Sequence, residues 1–368
     1  MIFQLPTYFV LLTSFLIPVD EQTTINAIER LPRSQRLTAY PNALKRSGVS
    51  DNDRMALIKA FAKHAKIVSP HYLKSDRVWN PKSWVSILDE GFKRNPNDPD
   101  IAWALAQLHI NDANYSKALP IVESFKKSNP NHHHALAWHA LCNSKKDGSK
   151  LRPARGKLLI FPLHFCVLTR NPSAHKVATI RQCRKDCDTL NATFRTHNGD
   201  TLVRFKFKSF SSYSDVKDSV SELVRFGDST DPYDSNGLAR AFNACKDSRV
   251  RDPNAINIYI FDSYSSRMKF ADVTSHGKRN SNRPYVFLDW ERIGNKIQNV
   301  YPHEMGHSFG LGHVGVPVAT GKSPTNIMTS AGEKFGSGGL RTYGFTEAQA
   351  ALILYHAQRT HQRLALKR

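Results

Sequence analysis

The 368-residue chain predicts an α+β protein in two parts: an all-α helical domain, then a domain with a mixed, mostly parallel sheet and an active-site helix. Three observations carry this. An internal repeat with an offset of 34 residues runs through the first half. After about residue 157 the pattern changes to short apolar and alternating runs, the mark of strands. Near residue 300 three histidines and a glutamate fall at fixed helical spacing.

The first twenty residues, through MIFQLPTYFVLLTSFLIPVD, are strongly apolar. The stretch between Pro6 and Pro18 is short for a membrane span and suits the apolar region of a secretory signal. Residues 1–20 are therefore expected to be a signal peptide, with a secreted or periplasmic product. An uncleaved N-terminal anchor is the alternative, and only that case would tie the chain to a membrane. No basic residue precedes the apolar run and no small-x-small cleavage site follows it.

Residues 21–145 read as helical. ILDEGFKRNPN (87–97) and IVESFKKSNPN (121–131) align without gaps, and DPDIAWALAQLHINDANYSKALPIV joins them. Leu105, Ala106 and Ala118 are the small and close-packed positions, and Asn114 and Tyr115 fall at the turn between helices. Together these resemble a tetratricopeptide repeat, whose period is about 34 residues. The resemblance covers two units, with HHHALAWHALC (132–142) beginning a third. RMALIKAFAKHAKIV (54–68), with Met55, Ile58, Phe61 and Ala65 at helical spacing, offers a cap. Such helix pairs imply a concave surface for a protein partner, or else a helical prodomain or spacer. The triple histidine at 132–134 reads as a solvated turn and helix start.

Residues 146–156 close a charged, Gly- and Pro-containing stretch that reads as a linker. Residues 157–368 then form the second domain. KLLIFPLHFCVLTR (157–170) predicts a buried strand and HKVATIRQCRKDCDTLNATF (175–194) a helix. LVRFKFKSF (202–210) alternates apolar and basic residues, as a strand with one wet face does. INIYIFDS (256–263) and RPYVFLDW (283–290) are further strands. Five cysteines give an odd count, and buried thiols are expected, although Cys183 and Cys187 lie one helical turn apart and either could reach Cys245.

VYPHEMGHSFGLGHV (300–314) contains H-E-x-x-H-x-x-G-x-x-H. His303 and His307 share one helix face, so their imidazoles can converge on one cation. Glu304 sits beside the first ligand and can reach a metal-bound water as general base without ligating. Gly310 can end the helix, because it lacks the Cβ that disfavours left-handed angles. The returning chain brings His313. Three neutral nitrogens with an open position describe a catalytic Zn²⁺ site rather than a closed structural one. Met328 follows in TNIMTSAG (325–332), fifteen residues after His313.

With the methionine, residues 157–355 resemble the metzincin zinc metallopeptidases, most nearly the pappalysin type. The resemblance implies that Met328 forms an apolar floor without binding metal. It implies that SRMKFADV (266–273) is the antiparallel edge strand lining the cleft and GFTEAQAALILYH (344–356) a closing helix. It implies a zinc-dependent endopeptidase acting on a protein or peptide substrate. In several relatives a tyrosine two residues after the methionine approaches the zinc. Here Ser330 stands there, so that switch is missing. Tyr343 is read as a packed aromatic in preference to an oxyanion donor.

Two other functions fit the same residues: a zinc hydrolase acting on a non-protein amide, and a non-proteolytic zinc-binding adaptor working through the repeats. An intact Glu304 speaks against the adaptor. The net charge is +21, with +7 in residues 1–150 and +14 in the remainder. Such a field favours acidic partners, but no nucleic-acid-binding motif accompanies it, so no specific nucleic-acid partner is expected.

Overall fold

The computed structural model describes residues 21–31, 33–68, 81–146, 158–213, 247–261, 275–279, 284–293, 300–315, 324–329 and 340–364. It is a mixed helix and sheet structure. The helices of the first part are α1 (Glu21–Glu29), α2 (Arg33–Leu44), α3 (Asp51–Val68), α4 (Pro81–Arg94), α5 (Pro99–Asn111), α6 (Tyr115–Ser128) and α7 (His133–Lys146). Helix α6 starts 34 residues after α4, and α7 starts 34 residues after α5. The sequence offset is thus an offset of whole helix pairs. Asp98 opens α5 by accepting from the backbone N–H of Asp100 and Ile101, each at 3.1 Å, with Pro99 at the first helical position, where no N–H is needed. Leu105, Ala106 and Ala118 are fully buried between helices, as are Ile58, Phe61 and Ala65 of α3.

The expected solvated turn at 132–134 is corrected. His134 lies on Trp103, with ring centroids 4.2 Å apart, and against Trp138 at 5.2 Å. Burial pushes its pKa down to about 3. The helix start is as read, at His133; His132 and His134 face Trp103, with Phe125 and Trp138 beside them, while His133 faces Tyr355 and His356.

The second part is built on a five-stranded sheet, β2-β1-β3-β5-β4. Its strands are β1 (Ile160–Leu168), β2 (Arg204–Tyr213), β3 (Ile256–Phe261), β4 (Ser275–Lys278) and β5 (Tyr285–Asp289). The first four in spatial order run parallel, and β4 runs antiparallel at the edge. Central strands β3 and β5 are buried throughout, as a parallel sheet covered on both faces requires. At the other edge, β2 exposes Arg204, Lys206 and Lys208 and buries Phe205. The segment 266–273, read as the edge strand, lies outside the described residues; among these, Ser275–Lys278 holds the antiparallel edge.

The single helix expected over 175–194 is two: α8 (Pro172–Val177) and α9 (Ile180–Thr193). Thr179 breaks them, because its hydroxyl caps α9 by accepting from the Gln182 N–H at 3.2 Å. The metal-motif helix α10 (Val300–Ser308), short strands β6 (Pro324–Asn326) and β7 (Leu340–Tyr343), and α11 (Glu347–Arg363) complete the chain. Thr346 and Gln349 form a reciprocal capping box at the start of α11. Cys142, Cys166, Cys183 and Cys187 are buried thiols, and Cys245 lies outside the described residues.

Of the linker expected at 146–156, Lys146 still belongs to α7 and the rest lies outside the described residues. Buried apolar side chains form one continuous cluster from Ile28 to Leu364. Helix α7 packs on α11, and the Trp138 indole donates to the Ala348 carbonyl at 3.0 Å. Among the described residues, no helix is long and apolar enough to cross a membrane; residues 1–20 lie outside them.

Candidate metal centre

Helix α10 carries His303, Glu304 and His307 on the side facing β4, β6 and the turn that follows β6. Gly306 faces the same turn, and Met328 fills the space that a side chain there would take. Ser308 fastens the helix end, its hydroxyl 2.9 Å from the Tyr285 carbonyl of β5. Gly310 then adopts φ +87°, the left-handed region that favours glycine. The N–H of Gly310 and of Leu311 close the helix on the carbonyls of His307 and Gly306, at 2.9 and 3.1 Å. The chain returns and His313 meets the other two histidines.

All three rings point one nitrogen at a common centre. Nε2 of His303 is 3.1 Å from Nε2 of His307 and 3.2 Å from Nε2 of His313. The opposite nitrogens define the tautomers. His303 Nδ1 donates to the Ile327 carbonyl and His307 Nδ1 to the Leu311 carbonyl, each at 2.7 Å. Both Nε2 atoms therefore present lone pairs, and lone pairs in such contact repel unless a cation lies between them. Burial, reinforced by the nearby positive charge of Arg341, holds His303 well below the usual imidazole range, so it stays neutral as a ligand must.

The donor set fits a metal ion. Tetrahedral zinc–nitrogen bonds of about 2.0–2.1 Å place neighbouring nitrogens roughly 3.3 Å apart, close to the separations here. Among the described residues, this is the one group of three or more histidine, cysteine or acidic side chains close enough to hold a metal. Imidazole nitrogen suits zinc, copper, iron or nickel, so the site admits a metal without naming it.

Glu304 is 7% exposed and is not among these donors. Burial pushes its pKa up to about 8, while Arg341 and the Gly277 N–H act in the opposite direction. Gly277 belongs to β4, which runs so close to α10 that no side chain fits between them. Arg341, on β7, is 5% exposed, and its Nε donates to the Thr329 carbonyl at 2.8 Å.

Met328 is fully buried beneath the motif helix. The turn that holds it is organised by Asn326, whose side-chain oxygen accepts from the Met328 N–H at 2.9 Å. Val314 N–H donates to the Met328 carbonyl at 2.9 Å, so the loop that carries His313 and the turn that carries Met328 are tied directly. Tyr343 is partly buried and its carbonyl accepts from Ile327 N–H at 3.0 Å. Ser330 lies outside the described residues.

Sequence reasoning found His303, Glu304, His307, His313 and Met328, and the structure brings all five together. It missed Gly277, Arg341, Asp186 and His356. One signal was available. Asp186 shares the buried stripe of α9 with Cys183, Cys187 and Leu190, and an acid on an apolar stripe implies a buried partner. That partner is Tyr301 of α10, whose hydroxyl donates to Asp186 Oδ2 at 2.9 Å.

No family model matches the chain, and no curated protein matches it. Among solved structures, a mutant of the Thermobaculum terrenum O-GlcNAc transferase is similar over 67% of this chain and 47% of that one. Identity is 10% and the TM-score 0.29, too slight a likeness to bear on fold or function. The chain spans about half the length of that structure.

Proposed function

We propose that the protein is a zinc-dependent endopeptidase of the metzincin type, with Zn²⁺ held by His303, His307 and His313 and Glu304 as general base. A tetratricopeptide-like helical region precedes its catalytic domain. The observation that carries the proposal is the convergence of three Nε2 atoms beside a buried carboxylate that is not itself a ligand. Copper, iron and nickel would accept the same nitrogens, but three neutral imidazoles with an adjacent general base are the donor set of hydrolytic zinc.

A zinc ion here would supply Lewis acidity, polarising a scissile carbonyl and making water a better acid. The chain's own groups do the rest. The Ile327 and Leu311 carbonyls fix the orientation of two ligands and strengthen them as donors. Glu304 takes a proton from the attacking water and passes it to the leaving amine. Arg341 and the Gly277 N–H offset the cost of burying the ionised carboxylate. An extended peptide would lie antiparallel to β4, whose backbone offers the pairing that an edge strand leaves open.

The test is removal of metal from the purified chain, followed by titration with zinc, with cleavage of an unstructured protein such as casein as the readout. Activity should vanish and return at one equivalent. Cleavage that survives complete metal removal would end the proposal. Hydrolysis of a non-protein amide in place of casein would keep the site chemistry and reassign the substrate.

A further inference from the structure

The third histidine is held differently from the other two. His303 and His307 ride on one helix, and a backbone carbonyl anchors the Nδ1 of each. His313 follows the helix on a loop and is exposed. Among the described residues, nothing is hydrogen-bonded to its Nδ1. Its position therefore depends on the backbone from Gly310 to Gly315.

That backbone is braced at both ends by groups in contact with the helical part. At the first end, the ring of His356 in α11 lies where a Gly310 side chain would be. A Cβ there would fall 2.7 Å from its Cδ2 and 2.8 Å from its Nε2. His356 in turn stacks on His133 of α7, with ring centroids 4.8 Å apart and planes 29° from parallel. At the other end, the Gly315 N–H donates to the Ile67 carbonyl near the end of α3 at 3.3 Å. The α7–α11 contact is not a loose one. Trp138 donates to Ala348, and the Tyr115 hydroxyl reaches Glu347 at 3.3 Å.

We infer that the helical part positions His313: it is a brace for the third metal ligand, acting through His133 on His356 and through Ile67 on Gly315. This inference rests on the metal-binding role proposed above and adds that zinc affinity depends on residues of the helical part that touch no metal. His133 is a positioning residue. Partners that press on α7 would then be felt at the metal through a packed route with named members.

The experiment compares zinc dissociation constants of the full-length protein and its variants, by competition with a chromophoric chelator. His133→Ala removes the stacked ring without touching the motif. It should weaken zinc binding by roughly tenfold, the low end of what loss of a group supporting a ligand costs. His133→Phe keeps a flat ring and should stay within about twofold of wild type, on the same principle. His139→Ala lies on the same helix, with Lys126 and Asn143 as its partners, and should change nothing. Circular dichroism of the zinc-stripped proteins checks that each variant is folded. If His133→Ala does not fold, His133→Leu, which fills space without a flat ring, is measured and judged in the same way. Folded His133→Ala with wild-type zinc affinity would overturn the inference. A wild-type protein that binds no zinc would overturn the metal assignment itself and this inference with it.

Discussion

A Cβ placed on Gly277 would lie 2.6 Å from the carbonyl carbon of Glu304 and 3.0 Å from the Cβ of His307. The edge strand therefore rests on the backbone of the metal-motif helix, and only a residue without a side chain can stand there. This contact places an amide N–H of β4 at the Glu304 carboxylate.

Gly277→Ala is expected to be severe. The obstruction is backbone, which cannot swing aside, so β4 must lift from α10. A cost of about 1–3 kcal/mol is expected for overpacking of this kind, together with loss of peptide cleavage. Urea unfolding and a casein assay would measure both.

Gly306→Ala makes an informative contrast. Its new Cβ would also collide, but with the Met328 Sδ, the far end of a flexible side chain. Alanine also gains about 1 kcal/mol of helix propensity over glycine. The two effects oppose, and stability should stay within about 1 kcal/mol of wild type. A urea midpoint as low as that of Gly277→Ala would contradict this.

Asp186 gives a pH signature. Its burial raises the carboxyl to about 6, although Gln182 and Tyr301 donate to it at 2.7 and 2.9 Å. A carboxyl whose folded pKa lies above its unfolded value of about 3.9 favours the folded state at low pH and loses that contribution as pH rises through 6. Ionised and buried, it should cost roughly 2–3 kcal/mol at pH 7.5. Asp186→Asn removes the charge and keeps an acceptor for Tyr301. The stability difference, variant minus wild type, should thus rise by about that amount between pH 4 and 7.5. A difference independent of pH would show that Asp186 does not titrate in this window.

Arg341→Met should destabilise the zinc-stripped protein. It leaves the buried Thr329 carbonyl without its guanidinium donor. The lost donor is worth about 1–3 kcal/mol, which thermal unfolding of the stripped proteins would register.

The motif histidines were legible because their spacing is a helical repeat with a glycine stop, and nothing else in the chain has that pattern. The 34-residue period was legible because it recurs as whole helices, α4 to α6 and α5 to α7. The break at Thr179 was not, since periodicity across 175–194 hides a cap that only local hydrogen bonding reveals. Gly277 and Arg341 lie in segments with no apolar pattern of their own; their roles come from long-range packing. His133 and His356 are 223 positions apart, and no local rule joins them. The histidine run at 132–134 misled because polarity suggests water, whereas Trp103 and Trp138 lie against it.

Glu304→Gln offers the most direct test, with zinc content and casein cleavage measured on one preparation. Glutamine keeps the shape of the side chain and cannot accept the proton. One zinc per chain should be retained while cleavage falls by at least about 10²-fold, the usual loss with a general base. Cleavage at the wild-type rate with zinc bound would contradict the assignment of Glu304 and the zinc-peptidase mechanism built on it.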